Sequence, residues 1–139
     1  MSIYQTAIDA IQKYLIIRFL PLLALLLTLT VLLIVCIKLK LMSKKILLII
    51  FFVLGVSLAY MVYSFAILSY DVRNECYIVY SGEFDYKNVL GQDVNVVSFA
   101  VEGTKKQCKC VMDDIDSGEY NGTVIYTQHS NWVVCIETN

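Results

Sequence analysis

The chain has 139 residues, of which 58% are hydrophobic, and its mean hydropathy of +0.67 is too high for an ordinary soluble domain. The net charge of −1 conceals an asymmetry, because residues 1–70 carry six basic residues and one acid (+5) while residues 71–139 carry five basic residues and eleven acids (−6). Phosphates and anionic lipids repel an acidic half of this kind, so nucleic-acid binding is excluded.

The N-terminal segment has apolar side chains at helical spacing with polar ones between them. The apolar positions are Ile3, Tyr4, Ala7, Ile8, Ile11, Tyr14 and Leu15. The pattern predicts an amphipathic helix over residues 1–15, lying in the membrane interface before Pro21 opens the first span. It fits equally well a simple N-terminal extension of the first membrane helix.

Two long uncharged runs follow. Residues 19–37 and 46–69 contain no charged side chain, and each run is long enough for the ~18 to 20 apolar residues that cross ~30 Å of hydrocarbon. They predict a transmembrane hairpin over residues 16–70, with a connecting loop at residues 38–45. Transporters usually place ionisable groups inside their spans, so this hairpin predicts an anchor or an accessory subunit in the lipid bilayer.

The connecting loop is short and rich in lysine. Its basic residues are Lys38, Lys40, Lys44 and Lys45. Short loops rich in Lys and Arg stay in the cytoplasm, so we predict a two-pass cell-membrane protein with both termini extracytoplasmic. A rival interpretation makes the first run a signal peptide, which would leave the C-terminal half inside the cell. The run is too long for that, and no small-residue cleavage pattern follows it.

Small residues recur on one side of each predicted span. Gly55, Ala59 and Ala66 follow one another at helical spacing in the second span, and Ala24 and Thr28 do so in the first. Small faces let helix backbones approach closely in lipid. This small-residue stripe predicts packing within the hairpin, or else a contact face for a second copy of the chain or another membrane protein.

From Glu75 onward the composition is typical of strands, with short runs of β-branched and aromatic residues punctuated by Gly, Asn and Asp. We predict five strands, at Cys76–Tyr86, Val94–Val101, Lys105–Met112, Thr123–Gln128 and Trp132–Thr138. Residues 75–139 are therefore expected to form a small extracytoplasmic β domain, an antiparallel sheet or partly closed barrel of OB-like or SH3-like size. The predicted fold class is membrane α + β.

The predicted β domain contains four cysteines. Strand alternation puts Cys108 and Cys110 on one side of their strand with α-carbons about 7 Å apart, at the limit of disulfide geometry. We therefore predict two bridges that join them to Cys76 and Cys135, in either connectivity, in an oxidising compartment. A four-cysteine zinc site and free buried thiols are the alternatives, although C-x-C is not the usual zinc-binding spacing.

The sequence contains no catalytic motif. Neither G-x-S-x-G, nor H-E-x-x-H, nor a Gly-rich phosphate loop occurs, and the single histidine, His129, falls in a predicted turn. Asp114, Asp116 and Gly118 are spaced like part of a calcium loop but lack its closing glutamate. We therefore predict a protein that is not an enzyme and needs no metal or cofactor.

Acidic residues concentrate in the longest predicted loop. The cluster and its aromatic neighbour are Asp113, Asp114, Asp116, Glu119 and Tyr120. Excess negative charge steers a basic protein partner and speeds its encounter, and binding residues concentrate on loops with aromatic neighbours. We predict that this loop, with His129 and Trp132 at another turn, contacts the partner. The alternative is a solvated loop that keeps the domain soluble.

The layout resembles that of the small membrane-bound immunity proteins that Gram-positive bacteria encode beside secreted toxins or bacteriocins. The resemblance is one of size and plan over the whole chain, so no site residue is carried over from it. It implies a stoichiometric protein binder that neutralises a toxin at the outer face of the membrane. Two other classes stay open: an accessory subunit of a secretion or transport complex, and a phage or plasmid surface-exclusion protein.

Overall fold

The computed structural model of the chain describes residues 4–40, 43–89, 94–111 and 115–139. Two helices precede five strands: α1 (Gln5–Lys38), α2 (Lys44–Arg73), β1 (Tyr77–Lys87), β2 (Asn95–Val101), β3 (Thr104–Cys110), β4 (Gly118–Thr127) and β5 (Val133–Thr138). Both helices are long and apolar enough to cross a membrane. Two long apolar helices followed by a small antiparallel β domain confirm the coarse fold expected from the sequence.

The chain divides into two compact units. Residues 15–65 form the helical unit, and residues 1–14 with 66–139 form the β unit. In the described part of the helical unit, few side chains are buried: Leu15, Phe19, Leu33 and Met61. Phe19 contacts the rings of Tyr60 and Phe65 at centroid distances of 6.3 and 5.7 Å. The remaining apolar surface of the two helices is largely exposed.

The small-residue stripe is part of that exposed surface. All its members are exposed: Ala24, Thr28, Gly55, Ala59 and Ala66. A β-carbon built on Gly55 would meet no atom within 4 Å. Packing within the hairpin therefore does not use the stripe, because larger side chains such as Phe19 make the contacts. Its use as a face for another protein or a second copy stays a prediction.

The amphipathic N-terminal segment belongs to α1 and packs within the β unit. Ile8 and Ile11, from its apolar face, are almost fully buried. Two tyrosines that flank them make edge-on ring contacts with the β domain, Tyr4 with Tyr77 at 5.2 Å and Tyr14 with Trp132 at 5.7 Å. The face that suggested a membrane interface is therefore covered by protein at these positions.

β1 is the central strand of the sheet, whose order is β3-β2-β1-β4-β5 with antiparallel neighbours throughout. Tyr77–Tyr86 pairs with β4, and only Phe84–Lys87 also pairs with β2. Gly82 has φ 151°, a conformation that favours glycine. At the sheet edges, the Lys109 N–H of β3 donates to the Asn131 carbonyl before β5 at 2.9 Å. The edges meet at this bridge.

Two strand boundaries differ from the expectation by more than one residue. β4 begins at Gly118 rather than Thr123, because residues 118–122 continue the ladder with β1; polar residues in this stretch concealed the strand. β3 ends at Cys110, whereas the sequence placed its end at Met112, which lies outside the described residues.

The core of the β domain is built from aromatic and β-branched side chains on one side of the sheet. Its members include Tyr86, Val97, Phe99, Val124 and Tyr126, each no more than 3% exposed. Inside it, the Asn95 amide donates to the Tyr86 hydroxyl at 2.8 Å. Buried polar groups need such partners, because an unsatisfied one costs about 1–3 kcal/mol.

The prediction of two disulfides is wrong, because Cys76, Cys108 and Cys135 carry free thiols. Cys108 and Cys110 both point into the core, as the alternation indicated. In the β4–β5 ladder, the residue opposite Cys135 is Ile125. The neighbouring Ile136 packs on the core, so the Cys135 side chain faces the opposite side of the sheet. Cys76 lies just before β1. The sheet therefore stands between the core cysteines and Cys135.

Candidate binding site

The β domain has a cavity of about 560 Å³ on the strands around the middle of β1. Ionisable and polar side chains from four strands line it: Glu83 and Asp85 of β1, Ser98 of β2, Lys105 of β3, and Glu119 and Asn121 of β4. We call these six residues and the space between them the acidic groove. The volume falls in the ~300–1,000 Å³ range typical of ligand pockets.

Strand alternation and register bring these side chains together. Asp85 pairs with Ser98 on one side and with Glu119 on the other, so the three share one face of the sheet. Glu83 pairs with Asn121 on the same face. The intervening residues point the other way, and Phe84 belongs to the core. The acidic groove is therefore on the face of the sheet away from the core.

The groove holds more negative than positive charge. Asp85 is paired with Lys87 at 3.2 Å, and Lys105 also lines the cavity. Among the described residues, neither Glu83 nor Glu119 has a basic group within 4.0 Å. Asp85 and Glu119 stand directly opposite each other across two strands, an arrangement of like charges that destabilises a sheet. The groove thus retains an unfavourable charge pair.

Ser98 adds a buried polar group to the groove. Only 6% of the residue is exposed, although it lines the cavity. No described residue makes a hydrogen bond with its hydroxyl. The hydroxyl oxygen is not fully withdrawn from solvent, since the fully buried side-chain atom without a partner among the described residues is Asn131 Oδ1. It is therefore available to a ligand in the cavity.

Those of the predicted partner-binding residues that the structure describes do not come together as one surface. Glu119 and Tyr120 line the cavity, where Tyr120 stacks on Phe84 at 5.9 Å and donates to the Asp116 carbonyl at 2.9 Å. Asp116 is exposed. Asp113 and Asp114 lie outside the described residues.

The other two predicted residues, His129 and Trp132, both contact residues within the protein. Trp132 is 4% exposed, and its ring contacts Tyr14 of the N-terminal segment. Its contact with a partner stays a prediction. His129 is half-exposed but is held by a carboxylate.

Sequence reasoning missed Glu83, Asp85 and Ser98. The charge alternation Glu83, Asp85, Lys87 along one strand face could have indicated the two carboxylates, but it contains no signal for Ser98 or for the register that brings these residues together.

His129 belongs to a second polar cluster, the Asp71 latch, which consists of Asp71, His129 and Ser130. Asp71 is fully buried near the end of α2, beyond the uncharged run that ends at Ser69. Its Oδ1 lies 2.6 Å from Nδ1 of His129, and its Oδ2 accepts 2.7 Å bonds from both the amide and the hydroxyl of Ser130. The His129 amide also donates to it, at 3.2 Å. The carboxylate therefore fastens the β4–β5 turn.

Asp71, Cys76 and His129 are the described residues whose donor atoms come close enough for a metal ion, within 4.8 Å of one another. Both carboxylate oxygens of Asp71 are already occupied by hydrogen bonds from His129 and Ser130. A metal ion would have to displace these donors. The cluster is therefore better explained as a structural latch than as a metal site.

Burial and hydrogen bonding shift three pKa values outside the predicted spans. Burial alone would raise the pKa of Asp71, but the hydrogen bonds from Ser130 and His129 outweigh it and hold the pKa below its usual value of 3.8. Burial raises the pKa of Cys108 to about 11 against a smaller lowering effect of Lys106. Burial and then the charge of Glu137 raise the pKa of Cys135. The two thiols are therefore poor nucleophiles.

No family model, no curated protein and no solved structure matches the chain. The geometry of the chain itself is therefore the basis for a function.

Proposed function

We propose that the protein is a membrane-anchored, non-catalytic binding protein whose β domain holds a basic protein partner in the acidic groove. In its specific form, the proposal is an immunity protein that neutralises a secreted antibacterial toxin at the extracytoplasmic face of the cell membrane. It acts by stoichiometric binding, without chemistry and without a cofactor.

The observation that carries this proposal is the groove itself. Among the described residues, a cavity of about 560 Å³ is lined by three carboxylates and one amine, all of them on strands of the sheet. Two of the carboxylates, Glu83 and Glu119, have no ionic partner among the described residues. Charge complementarity of this kind favours a basic partner and accelerates its encounter at low salt.

Strand topology supports a binding module of the OB-like kind. β1 is long and pairs with both β2 and β4, and a parallel bridge between Lys109 and Trp132 joins the two edges. A five-stranded, partly open barrel is the architecture of OB-folds, which bind their ligands on the sheet surface and adjoining loops. We therefore propose the OB-like alternative over the SH3-like one.

The two long helices supply the anchor in this proposal. Each is long and apolar enough to span a bilayer, and an even number of spans returns the chain to the side on which it began. The four lysines of the loop at residues 38–45 favour a cytoplasmic position for that loop. The N-terminal segment and the β domain are then both extracytoplasmic, where a secreted toxin would meet them.

An accessory subunit of a membrane complex is the second candidate. The exposure of the small-residue stripe favours it, since Gly55 and Ala59 face open space where a neighbouring helix could approach. Co-purification with a larger complex in mild detergent, lost in Gly55→Leu, would support this candidate over the first.

The immunity proposal is tested by expressing the protein in sensitive cells and challenging them with secreted products of its neighbouring genes. We expect protection by the wild-type protein and its loss in Glu83→Gln/Glu119→Gln at normal abundance. The matched control is Glu75→Gln/Glu137→Gln, which removes the same charge from exposed residues outside the groove and should protect fully. Absence of protection by the wild-type protein against every such product would overturn the proposal.

A further inference from the structure

We propose that the acidic groove is an arginine pocket: it binds the guanidinium of an arginine side chain in a partner polypeptide. The inference rests on the proposed function and narrows it, because it names the group that the groove recognises. It concerns the six residues of the acidic groove.

The side chains that line the groove offer hydrogen-bond acceptors that suit a guanidinium. The groove offers acceptors on one face of the sheet: the carboxylates of Glu83 and Glu119, the hydroxyl of Ser98 and the amide oxygen of Asn121. A guanidinium has five N–H donors in a planar fork and no acceptor. It can therefore engage two carboxylates and a neutral acceptor at once, whereas the compact ammonium of lysine satisfies fewer of them.

The groove also retains a pair of like charges, Asp85 and Glu119, that a bound cation would relieve. Asp85 and Glu119 are directly opposite each other in the β1–β4 ladder, and like charges in this position destabilise the sheet. Lys87 offsets the charge of Asp85 at 3.2 Å, but Glu119 has no basic neighbour within 4.0 Å among the described residues. A bound cation would neutralise Glu119, so the empty groove carries a cost that a ligand removes.

Ser98 supports the same ligand independently of the carboxylates. Ser98 is 94% buried, with 6% of its surface exposed, and its hydroxyl has no hydrogen-bond partner in the described chain. It lines the same cavity next to Asp85. The hydroxyl oxygen is not among the fully buried unpaired side-chain atoms of the described residues, so it stays open to the cavity and can accept a hydrogen bond from an N–H of an arginine bound there.

The size of the groove selects a side chain within a polypeptide rather than an isolated ion. About 560 Å³ is far larger than the ~30 Å³ share of one water molecule. It accommodates an arginine side chain with part of the backbone that carries it. The uncharged lining residues Ala100 and Gly103 leave room for that backbone.

The test uses the full-length protein in micelles of a zwitterionic detergent and three nine-residue amidated peptides, which differ only in a central arginine, lysine or citrulline. Binding is measured by isothermal titration calorimetry. We expect the arginine peptide to bind about fivefold or more tightly than the lysine peptide, and the neutral citrulline peptide to lose binding about tenfold or more, because charge-assisted hydrogen bonds are lost.

Variants locate the site. Glu83→Gln and Glu119→Gln should each weaken the arginine peptide about tenfold, and Ser98→Ala about threefold, while Glu137→Gln should bind it like the wild type. Glu119→Gln should also raise the melting temperature, because it removes the like-charge pair with Asp85. A variant that weakens binding while it stabilises the fold cannot owe its effect to unfolding.

Equal affinity for the arginine and citrulline peptides, or equal affinity of the Glu119→Gln and wild-type proteins, would overturn the arginine pocket. So would complete competition by millimolar Ca²⁺, which would identify the groove as a divalent-cation site. If the protein protects cells but fails these peptide tests, the arginine inference falls and the proposed function stands. If peptides bind as expected but no neighbouring toxin is neutralised, the arginine pocket stands and the immunity function falls.

Discussion

The helical unit and the β unit use apolar residues in opposite ways. In the helical unit, Leu48 and Phe52 are 72% and 71% exposed, and few of its described side chains are buried. In the β unit, Tyr86, Val97 and Val124 have no measurable exposure. The β unit therefore has its own core. The exposed apolar side chains of the helices are not buried within the protein, so the free energy of removing them from water, ~25 cal/mol per Å², has to come from contact with lipid or a partner.

The two units should therefore differ in their sensitivity to substitution. The β unit should respond to single atoms in its core and latch, because its interior is closely packed and its polar groups are paired. The helical unit should tolerate substitutions that preserve hydropathy, because its exposed side chains make few contacts within the protein and an apolar replacement suits lipid equally well.

The largest effect is expected at the Asp71 latch. Asp71→Ala removes a buried carboxylate and leaves the donors of His129 and Ser130 without their acceptor, which should cost about 2–4 kcal/mol of unfolding free energy. The fluorescence of Trp132, the single tryptophan, reports unfolding of the β unit. His129→Ala should cost less, because its ring is half-exposed. Equal stability of Asp71→Ala and wild type would show that the latch does not hold the turn.

The next largest effect is expected from a glycine-to-alanine substitution, which can be compared between the two units. In Gly122→Ala the new β-carbon would collide with the Glu137 carbonyl of β5, so we expect a loss of about 1–3 kcal/mol. In Gly55→Ala the new atom meets nothing within 4 Å, so helix propensity should dominate and give a gain of up to about 1 kcal/mol. Thermal unfolding in detergent measures both. Similar losses at the two sites would contradict the contrast.

A smaller effect follows from the lowered pKa of Asp71. Because the pKa of the folded state lies below the usual 3.8, its contribution to stability is present at higher pH and is lost as pH falls through the folded-state value. Acid unfolding followed by Trp132 should therefore begin at a higher pH in Asp71→Asn, which lacks this contribution throughout. Identical acid transitions in the two proteins would refute the assignment.

The least effect on stability is expected from modification of the thiols. Cys108 lies in the core with a pKa of about 11, so iodoacetamide should modify it only after denaturation. Cys76 and Cys135 are partly exposed and should react in the folded protein, Cys135 slowly because its pKa is raised. Mass spectrometry of the alkylated protein measures all three. Disulfide-linked peptides in an unreduced digest would restore the two-bridge prediction.

The sequence predicts the elements well where one strong periodicity acts alone. The uncharged runs give α1 and α2, and alternation gives the core side of β3 with Cys108 and Cys110. It fails where the outcome depends on pairing between distant strands. β4 begins at Gly118 because β1 extends the ladder, and Cys108 does not pair with Cys135 because the sheet separates Cys135 from the core.

The candidate site was predictable only in part for the same reason. Glu119 and Tyr120 were found because they sit in an acid-rich stretch, and both line the groove. Glu83, Asp85 and Ser98 join them through register, which local sequence does not contain. Asp71 could be located only as the first charge after an uncharged run, and its partners lie 58 and 59 residues away.

The central claim is that the helices hold a binding domain on the outer face of the membrane, and labelling in intact cells tests it most directly. Ser43→Cys places a thiol beside the loop lysines, and Asn139→Cys places one at the exposed end of the β domain, each in a background with Cys76 and Cys135 replaced by serine. The account predicts that a membrane-impermeant maleimide labels Asn139→Cys in intact cells and Ser43→Cys only after permeabilisation. Labelling of Ser43→Cys but not Asn139→Cys in intact cells would contradict it.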